Sequence, residues 1–416
     1  MNHKQLAING DATTSVPKSV LISRHILVQI LKSAKEGHFL LKEKGRIIAE
    51  VGSKVDSLYA EVNVLDTRCY GRALLGGSDA AGEAFVDGWW TSPNLIQVTR
   101  FFCRNLDMMD HWDSRFGWML KPFRLLRQAT RMNTRKQAKR NILAHYDLGN
   151  DLYQAFLDER MQYSSAVFKT STETLAEAQT TKLTRICEKL QLSEKDHLLE
   201  VGSGWGGLAV FAAQHYGCRV TTTTISDEQF NYAEKTITDL GLDERITLLN
   251  KDYRLLDGHY DKIVSVEMIE AVGRQFLSSY FKKLNSLLKP NGLFMLQTIT
   301  IADQRLGVYN KNEDFIQKHI FPGGYLPSLA LISNILSKKT ELVIRDVLDI
   351  GLDYAQTLAH WNQTFQSNEN YVKALGYDDR FCNLWSYYLG YCEGGFREKR
   401  ISAAQLLTSK APHRSP

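Results

Sequence analysis

The sequence lacks the cysteine patterns that mark metal sites and disulfide scaffolds. Its 416 residues include six cysteines with no CxxC pair and no paired spacing, at positions 69, 103, 187, 218, 382 and 392. Zinc ligands and disulfides are therefore not expected, and a reducing cytoplasm fits this cysteine usage. The chain also has no internal repeat and no low-complexity tract.

Long apolar runs are absent as well. No uninterrupted run approaches the ~20 residues that span a bilayer, and the opening "MNHKQLAINGDATTSVPK" lacks the apolar core of a signal peptide. We therefore expect a cytoplasmic protein whose membrane contact is peripheral, on the inner face of the membrane. With 44% hydrophobic and 23% charged residues, the composition is that of a globular protein with room for two or three domains.

Positive charge is concentrated in one segment of a chain whose formal net charge is +5. Between positions 121 and 144 lie eight basic residues and no acidic one. Arg124, Arg127, Arg131 and Arg135 have the spacing of one helical face. This spacing predicts either a membrane-surface helix attracted to anionic lipid or a solvated linker helix. A nucleic-acid role is not expected, because no recognised binding module accompanies the basic patch.

The chain divides into two parts around this basic connector. From residue 37 to about residue 63, short alternating runs with Gly and Ser breaks predict a small sheet, and "GEAFVDGWW" and "LIQVTRFFCRNL" predict helices. We therefore expect an N-terminal α+β domain over 1–120, a connector over 121–144 and a second domain over 145–416.

In the second domain, strand-like apolar runs alternate with helical ones. Such alternation is typical of a doubly wound α/β fold, in which helices cover both faces of a parallel sheet. The candidate strands are "DHLLEVG", "CRVTTTTI", "RITLLN", "YDKIVSV" and "GLFMLQTITI".

The strongest chemical signal is "LLEVGSGWGGLAVFAAQHYG", residues 198–217. Its strand ends in the acidic Glu200 and turns through Gly202 and Gly204 into a helix. Glycines permit positive φ and let a ligand approach the backbone closely. The GK[ST] ending of a P-loop is absent, but Gly202, Gly204 and Gly207 have GxGxxG spacing. The glycine spacing alone is therefore also compatible with a nicotinamide-dependent oxidoreductase.

The rest of the chain separates these alternatives by resemblance to a known family. The E-x-G-x-G turn resembles the first motif of class I S-adenosylmethionine-dependent methyltransferases, and "NKDYRLL" and "YDKIVSVEMIEAVG" stand where that fold places later motifs. Together with "HYDLGNDLYQAFLDERMQYSSAVF", "FIQKHIFPGGYLPS", "DYAQTLAHW" and "YYLGYCEGGFREKRI", they make residues 130–410 similar to the cyclopropane-fatty-acyl-phospholipid synthase family. The stretch "GEAFVDGWW" resembles the N-terminal domain of the bacterial enzymes.

The resemblance implies a Rossmann-like class I methyltransferase domain and a smaller, lipid-associated N-terminal α+β domain. It also implies which residues bind S-adenosylmethionine. Tyr163 and Ser164 are expected at the methionyl portion, with Gly202 and Gly204 beneath it and Glu200 supporting the glycine turn. Thr224 and Gln229 are expected on the ribose and methionyl side. Asp252 and Tyr253 are expected beside the adenine. For Thr224, a hydroxyl bonded only locally at the strand end is the alternative.

The chemistry that the resemblance implies sets further requirements. A carbon–carbon double bond is a weak nucleophile, so the site must align the sulfonium methyl group and stabilise the carbocation that follows transfer. A base must then remove a proton from the new methyl group, and the family is thought to use bicarbonate for this step. Glu270 matches the family's bicarbonate-holding glutamate and Tyr354 its tyrosine; Glu267 is a further candidate. A surface acid and a buried core tyrosine are the structural alternatives.

Two positions depart from many bacterial members. Ser165 stands where those members have cysteine, and Gln297 where they have histidine; both family residues approach the bicarbonate. The Gln297 amide still donates a hydrogen bond. The Ser165 hydroxyl is expected on the side of the reacting carbon, where it either holds the same anion or shifts it and weakens deprotonation. If ring closure fails, the cation is quenched differently, and the product would be a methylene branch or a shifted, methylated double bond.

The implied substrates are unsaturated acyl chains of membrane phospholipids, with an anionic membrane surface as docking partner. Phe321 and Tyr325 are expected to flank the acyl chain or to belong to the core, and the aromatic stretch 381–396 is expected to be core. We expect an enzyme that adds a methylene group to the double bond and forms a cyclopropane ring. A branched acyl product, a lipid-binding protein without turnover and a small-molecule methyltransferase are the alternatives, and a homodimer stays open.

Overall fold

The computed structural model of the chain describes residues 17–108 and 148–411. Two β-sheets organise these residues, one with four strands and one with seven. The basic connector predicted over 121–144 lies outside the described residues, so its helical face stays a prediction. The limits of the predicted domains, at 120 and 145, lie there too.

The four-stranded sheet belongs to the N-terminal part of the chain. In chain order the elements here are α1 (Lys18–Leu31), β1 (His38–Glu43), β2 (Arg46–Gly52), β3 (Tyr59–Val64), α2 (Arg68–Val86), β4 (Trp90–Thr91) and α3 (Leu95–Arg104). The strand order is β2-β1-β3-β4, with β1 antiparallel to β2 and parallel to β3. Alternating side chains of the strands, such as Phe39, Leu41 and Val62, pack with Phe101 of α3 in one apolar cluster.

The seven-stranded sheet occupies the rest of the described chain. Its elements are α4 (Asn150–Gln154), α5 (Leu175–Lys189), β5 (His197–Val201), α6 (Gly207–Tyr216), β6 (Arg219–Thr224), α7 (Asp227–Asp239), β7 (Ile246–Asn250), β8 (Tyr260–Val266), α8 (Leu277–Leu287), β9 (Leu288–Ile301), α9 (Asp303–Tyr309), α10 (Phe315–His319), α11 (Leu329–Lys339), β10 (Leu342–Asp349), α12 (Gly351–Ser367), α13 (Glu369–Ala374), α14 (Asp379–Arg397) and β11 (Ile401–Lys410). Short 3-10 turns cover Tyr253–Leu255, Ile269–Ala271 and Arg274–Phe276.

The sheet confirms the predicted doubly wound α/β fold. The five predicted strands are all present as β5 to β9, and β10 and β11 extend the sheet to seven strands in the order β10-β11-β9-β8-β5-β6-β7. Leu198 and Leu199, which are adjacent in β5, pack into different clusters, one with α5 and α6 and the other with α8 and α11. Both faces of the sheet are therefore covered by helices, as expected of near-continuous apolar strands.

One strand departs from the predicted parallel arrangement. β11 is antiparallel to both of its neighbours, β9 and β10. The reason lies in the connection before it: α14 ends at Arg397, and Ile401 already pairs with Ile301 at the carboxyl end of β9. From that starting point β11 has to run back along β9, so a mixed sheet results.

Helix α14 joins the two sheets by packing against α2 and α3. A Cβ on Gly394 would lie 2.6 Å from the Cβ of Thr99, so the glycine permits this close helix contact. Arg100 and Arg104 of α3 both donate from Nε to Glu398, at 2.6 and 2.9 Å. The N-terminal sheet is thereby held against the side of the larger unit.

No helix among the described residues is both long enough and apolar enough to cross a bilayer.

Candidate active site

The glycine turn after β5 opens the site. Gly202, Gly204 and Gly206 have φ values of +97°, +50° and +89°, a region that glycine adopts without strain. The backbone N–H groups of Gly202 and Ser203 donate to the carbonyl of Thr223 at 3.1 and 2.9 Å, which fixes the turn on β6. A Cβ on Gly204 would meet no atom within 4 Å, so this side of the turn has room for a ligand.

Two other segments pack directly on this turn. A Cβ on Gly202 would lie 2.9 Å from Cγ of Met268, in the segment after β8. A Cβ on Gly207, where α6 begins, would lie 2.6 Å from the carbonyl oxygen of Arg160. The "MQYSS" segment, the glycine turn and the "EMIEA" segment therefore meet at the carboxyl edge of the sheet, where α/β folds bind ligands.

Glu200 lies beneath the turn but does not hold it. Its side chain is buried in the sheet, and Thr222 Oγ1 donates to Glu200 Oε2 at 2.6 Å. Burial raises the pKa of Glu200 to about 8, against the opposing effects of the Thr222 hydrogen bond and of Lys182. The predicted support of the turn comes instead from the Thr223 carbonyl, because the Glu200 side chain points across to the neighbouring strand.

The remaining residues predicted for the cofactor follow β6 and β7. Thr224 Oγ1 donates to Gln229 Oε1 at 2.9 Å, so the hydroxyl makes the local contact that was the alternative for this residue. Asp252 accepts from Nε and Nη2 of Arg254 at 2.9 and 2.6 Å. Burial raises the pKa of Tyr253 to about 12. The four predicted residues thus line the same sheet edge as the glycine turn.

The segment with the two serines is anchored by a buried lysine. Lys182 Nζ donates to Gln162 Oε1 at 2.8 Å and to Ser164 Oγ at 2.9 Å. Burial lowers the pKa of Lys182 to about 8. Tyr163 turns the other way, with its hydroxyl 3.0 Å from the hydroxyl of Tyr388. Of the predicted pair, Ser164 therefore faces the helix layer and Tyr163 faces α14.

Lys182 was not predicted as a site residue from the sequence, although its position on an apolar helical face is unusual for a lysine. It stands on α5 between Ala178, Leu183 and Ile186, the buried face of the helix. A lysine on such a face is rarely fully buried unless it is paired. This mismatch between residue type and helical face is the feature that would have singled it out.

A second cluster forms around Glu267. Glu267 Oε1 accepts from the Ser165 N–H and from Gln297 Nε2, both at 2.9 Å, and Glu267 Oε2 accepts from the Tyr354 hydroxyl at 2.7 Å. Burial raises the pKa of Glu267, and the hydrogen bonds from Gln297, Tyr354 and Ser165 oppose that rise. Burial together with the charge of Glu267 raises the pKa of Tyr354, so its hydroxyl remains a donor.

Ser165 joins this cluster through its backbone. Its hydroxyl donates to the Ala166 carbonyl at 2.9 Å, and its own carbonyl accepts from Gln297 Nε2 at 3.1 Å. The expectation that the Ser165 hydroxyl faces the reacting carbon therefore differs from the structure. The residue is fully buried, and a local carbonyl satisfies its hydroxyl.

Glu270 is held apart from Glu267 on the same wall. Its Oε1 accepts from Thr298 Oγ1 at 2.9 Å and from the Ile299 N–H at 2.6 Å. Its Oε2 is inaccessible to solvent and has no hydrogen-bond partner among the described residues. Burial, and next the charge of Glu267, raise the pKa of Glu270 to about 8. Burial therefore favours the protonated form of Glu270, which is not a surface acid at a helix start.

Both glutamates line a cavity of about 600 Å³ that reaches the N-terminal sheet. At the glutamate end the cavity is also lined by Tyr163, Tyr354 and Tyr388, and farther along by residues of β1, β3 and α3. The predicted acyl-channel residues Phe321 and Tyr325 line it, and so does one face of α14, which the sequence predicted to be core only. The residues of that face are Tyr387, Tyr388, Tyr391, Cys392, Gly395 and Phe396.

The doubly wound sheet, the glycine turn after its first parallel strand and the acidic pair beyond β8 define a class I S-adenosylmethionine-dependent C-methyltransferase. Within that class, residues 133–406 match the family model described as mycolic acid cyclopropane synthetase, and the chain belongs to this family. The family predicted from the sequence motifs is thereby confirmed.

Two curated relatives match over most of their length. The chain is 37% identical over 336 residues to the tuberculostearic acid methyltransferase of Mycobacterium tuberculosis, covering 78% of this chain and 77% of the relative. It is 36% identical over 353 residues to the cyclopropane-fatty-acyl-phospholipid synthase of Escherichia coli K12, covering 84% and 88%. Among solved structures, mycolic acid cyclopropane synthase with bound S-adenosylhomocysteine (SAH) and CTAB aligns with a TM-score of 0.61 and 29% identity, over 65% of this chain and 98% of that one.

Proposed function

We propose that this enzyme transfers a methylene group from S-adenosylmethionine to the double bond of unsaturated acyl chains in membrane phospholipids, which gives cyclopropane rings. The observation that carries the proposal is a cavity that joins an acidic end to an apolar end. The acidic end is lined by Glu267 and Glu270, and the apolar end is lined by Phe39, Leu41 and Val62 of the N-terminal sheet.

The cavity suits a long hydrocarbon chain. Its volume of about 600 Å³ is within the ~300–1,000 Å³ of ligand pockets. Each methylene group that leaves water contributes about 0.8 kcal/mol, so a chain threaded between the two sheets is held along its length. A small polar substrate would leave most of this lining unused, which argues against a small-molecule methyltransferase.

We assign the cofactor to the turn side of the acidic end. Gly202 and Gly204 would underlie it, Tyr163 and Ser164 would flank the methionyl part, and Thr224, Gln229, Asp252 and Tyr253 would line the remainder. When bound, S-adenosylmethionine supplies a methyl group on a positively charged sulfur. Tyr163 and Phe321 line the cavity, and aromatic rings of this kind attract developing positive charge.

Bicarbonate, which the family resemblance implies, does not fit the hydrogen bonds of the site. Of the side chains expected to hold it, Gln297 and Tyr354 donate to the Glu267 carboxylate instead, and the Ser165 hydroxyl donates to the Ala166 carbonyl. Glu270, the fourth, already accepts at Oε1 from Thr298 and the Ile299 N–H. No step of the proposed reaction is therefore assigned to bicarbonate.

A methyl- or methylene-branched acyl product is the alternative from the same cofactor and substrate. One relative is named for tuberculostearic acid methylation and one for cyclopropane formation, at nearly the same identity. The outcomes diverge after methyl transfer. Ring closure takes a proton directly from the new methyl group, the methylene branch first requires a hydride shift from the methylated carbon to the cation, and a shifted double bond forms by loss of a proton from the neighbouring chain carbon. The basic connector at 121–144 would dock the enzyme on anionic phospholipid in either case.

Lipid analysis of cells tests the proposal. The chain would be expressed in a bacterial host that lacks its own synthase, and acyl chains would be followed by mass spectrometry. We expect chains heavier by one CH2 group that resist mild hydrogenation and ozonolysis, as a ring does. Uptake of hydrogen by the heavier chains would indicate the methylene-branched product, and unmodified lipids would overturn both.

A further inference from the structure

The carboxylate of Glu267 occupies the side-chain donors of Gln297 and Tyr354, two residues that the family resemblance places beside an external anion. Ser165 N–H, Gln297 Nε2 and the Tyr354 hydroxyl all donate to it, over 2.7–2.9 Å. Two of these donors serve Oε1 and one serves Oε2. The Glu267 carboxylate thus lies where a bound bicarbonate ion is expected.

A relay of amides fixes Glu267 as the acceptor in this network. Arg185 Nε donates to Gln405 Oε1 at 2.9 Å, and an arginine can only donate. The Gln405 amide is therefore oriented with Nε2 toward Gln297 Oε1, at 2.9 Å. This orients Gln297 in turn, so that its Nε2 points at Glu267 Oε1. Every hydrogen bond to the Glu267 side chain therefore has Glu267 as the acceptor, which favours its ionised form.

Glu270 takes the complementary role. Its Oε1 already accepts from a hydroxyl and a backbone N–H, and its buried Oε2 has no partner among the described residues. Two neighbouring buried carboxyls share one negative charge more readily than they carry two. Three hydrogen-bond donors stabilise the charge on Glu267, whereas Glu270 Oε2 has none among the described residues, so the charge is favoured on Glu267 and the proton on Glu270.

The backbone at Glu267 adds an independent observation. Its φ is +49°, in the left-handed region that favours glycine. The N–H of Glu267 donates to the Gln297 carbonyl at 2.8 Å, which holds the residue in this conformation. Non-glycine residues in this conformation cluster at functional sites, and they persist because the surrounding structure holds them there.

We propose that Glu267 is the proton acceptor of the reaction and replaces bicarbonate, an inference that rests on the acyl-chain alkylation proposed above. The alkene electron pair forms a bond to the methyl carbon while the carbon–sulfur bond breaks toward sulfur, and the second alkene carbon becomes cationic. Glu267 Oε2, which has one donor rather than two, takes a proton from the new methyl group. The freed C–H electron pair closes the ring, and the proton passes to water once the product leaves.

Turnover without bicarbonate is the first test. Purified enzyme, S-adenosylmethionine and vesicles of unsaturated phosphatidylglycerol would be assayed for SAH release and lipid mass in buffer stripped of carbon dioxide, and then with added bicarbonate. We expect the same rate within about twofold, because the base is part of the chain. A wild-type rate that depends on added bicarbonate would overturn the inference.

Two substitutions at the same residue sharpen the test. Glu267→Gln keeps the size of the side chain but cannot accept the proton, and we expect a loss of at least about 100-fold. Glu267→Gly suits the positive φ and vacates a carboxylate-sized space beside the same three donors. We expect this variant to be inactive in stripped buffer and to recover with added bicarbonate or formate. Glu234→Gln, at an exposed position of α7, is the matched control.

The outcomes separate the two proposals. Wild-type enzyme that releases no SAH with unsaturated vesicles contradicts the proposed function itself. Wild-type turnover combined with near-normal rates in both Glu267 variants contradicts only the role of Glu267. Calorimetric titration with S-adenosylmethionine shows whether each variant retains the folded cofactor site, and the wild-type bicarbonate experiment decides the matter if neither variant folds.

Discussion

The two ends of the cavity are built in opposite ways. At the acidic end, Glu267 and Glu270 come after β8, and their neighbour Gln297 lies on the adjacent β9, all within the larger sheet unit. At the apolar end, the lining comes from β1, β3, α3 and α14, elements up to some 350 residues apart. The acidic end is thus built around one sheet, whereas the space for the substrate exists only where the two sheets are packed together.

The largest expected effect concerns the acidic end. Glu270→Ala should reduce turnover by at least about 100-fold, because it removes a carboxyl group from the wall beside Glu267. Glu270→Gln, which keeps a neutral side chain able to accept from Thr298 and the Ile299 N–H, should retain much more activity. SAH release measures both, and S-adenosylmethionine affinity should change little. Wild-type rates in Glu270→Ala would remove this residue from the reaction.

The next effect concerns the glycine turn. Gly202→Val forces a branched side chain onto a φ of +97° and against Met268, whose Cγ lies 2.9 Å from the Cβ position. Backbone strain of this kind costs about 1–3 kcal/mol, so S-adenosylmethionine affinity by calorimetry should fall roughly 10- to 100-fold. Gly307→Ala, at an exposed helical glycine with nothing nearby, is the control. Unchanged affinity in Gly202→Val would place the cofactor elsewhere.

A third prediction uses the titration of the polar end. Burial raises the pKa of Glu200 to about 8, so between the ordinary carboxyl pKa and pH 8 the folded protein binds a proton that the unfolded chain releases. Stability should therefore fall as pH rises through this range, by up to about 1.4 kcal/mol per pH unit for this group. Urea unfolding at several pH values measures the slope. Glu200→Gln should flatten the slope, whereas Glu234→Gln should not.

A fourth substitution addresses the α14 wall of the cavity, where Cys392 lies one turn from Tyr388. Cys392→Phe places a ring into the cavity, and overfilling a packed space costs about 1–3 kcal/mol. We expect kcat/KM for long acyl chains to fall about tenfold with S-adenosylmethionine affinity unchanged. Cys392→Ser serves as the control of similar size. Equal losses for shorter and longer chains would mean that this wall does not hold the substrate.

The smallest effect is expected at Ser165. Because its hydroxyl donates to the Ala166 carbonyl, Ser165→Ala should cost about 1 kcal/mol of stability and leave the product ratio unchanged. Thermal unfolding and lipid mass spectrometry test the two parts. A shift from ring to branched product in Ser165→Ala would show that the Ser165 hydroxyl takes part in the reaction, as expected from the sequence.

These contrasts explain what the sequence could and could not predict. The glycine turn and the residues near Glu270 stand in recognisable motifs, so their place at one sheet edge followed from chain order alone. Gln405 could not be found, because its role depends on the pairing of β11 with β9, where it lies opposite Gln297. Likewise, the cavity face of α14 reads as ordinary core, since aromatic residues at helical spacing look alike whether they pack on protein or on substrate.

The position of β11 has a consequence for how the enzyme matures. This strand inserts between β9 and β10, which precede it in the chain, and it carries the amide that orients Gln297. Synthesis proceeds at about 5–20 residues per second, so β9 and β10 wait some seconds with open edges before β11 has been made. During that interval the segment of the glycine turn has been made, but Gln405, which orients Gln297 toward the Glu267 carboxylate, has not. Catalytic competence should therefore arise as a single late event, which makes activity a direct reporter of completed sheet assembly.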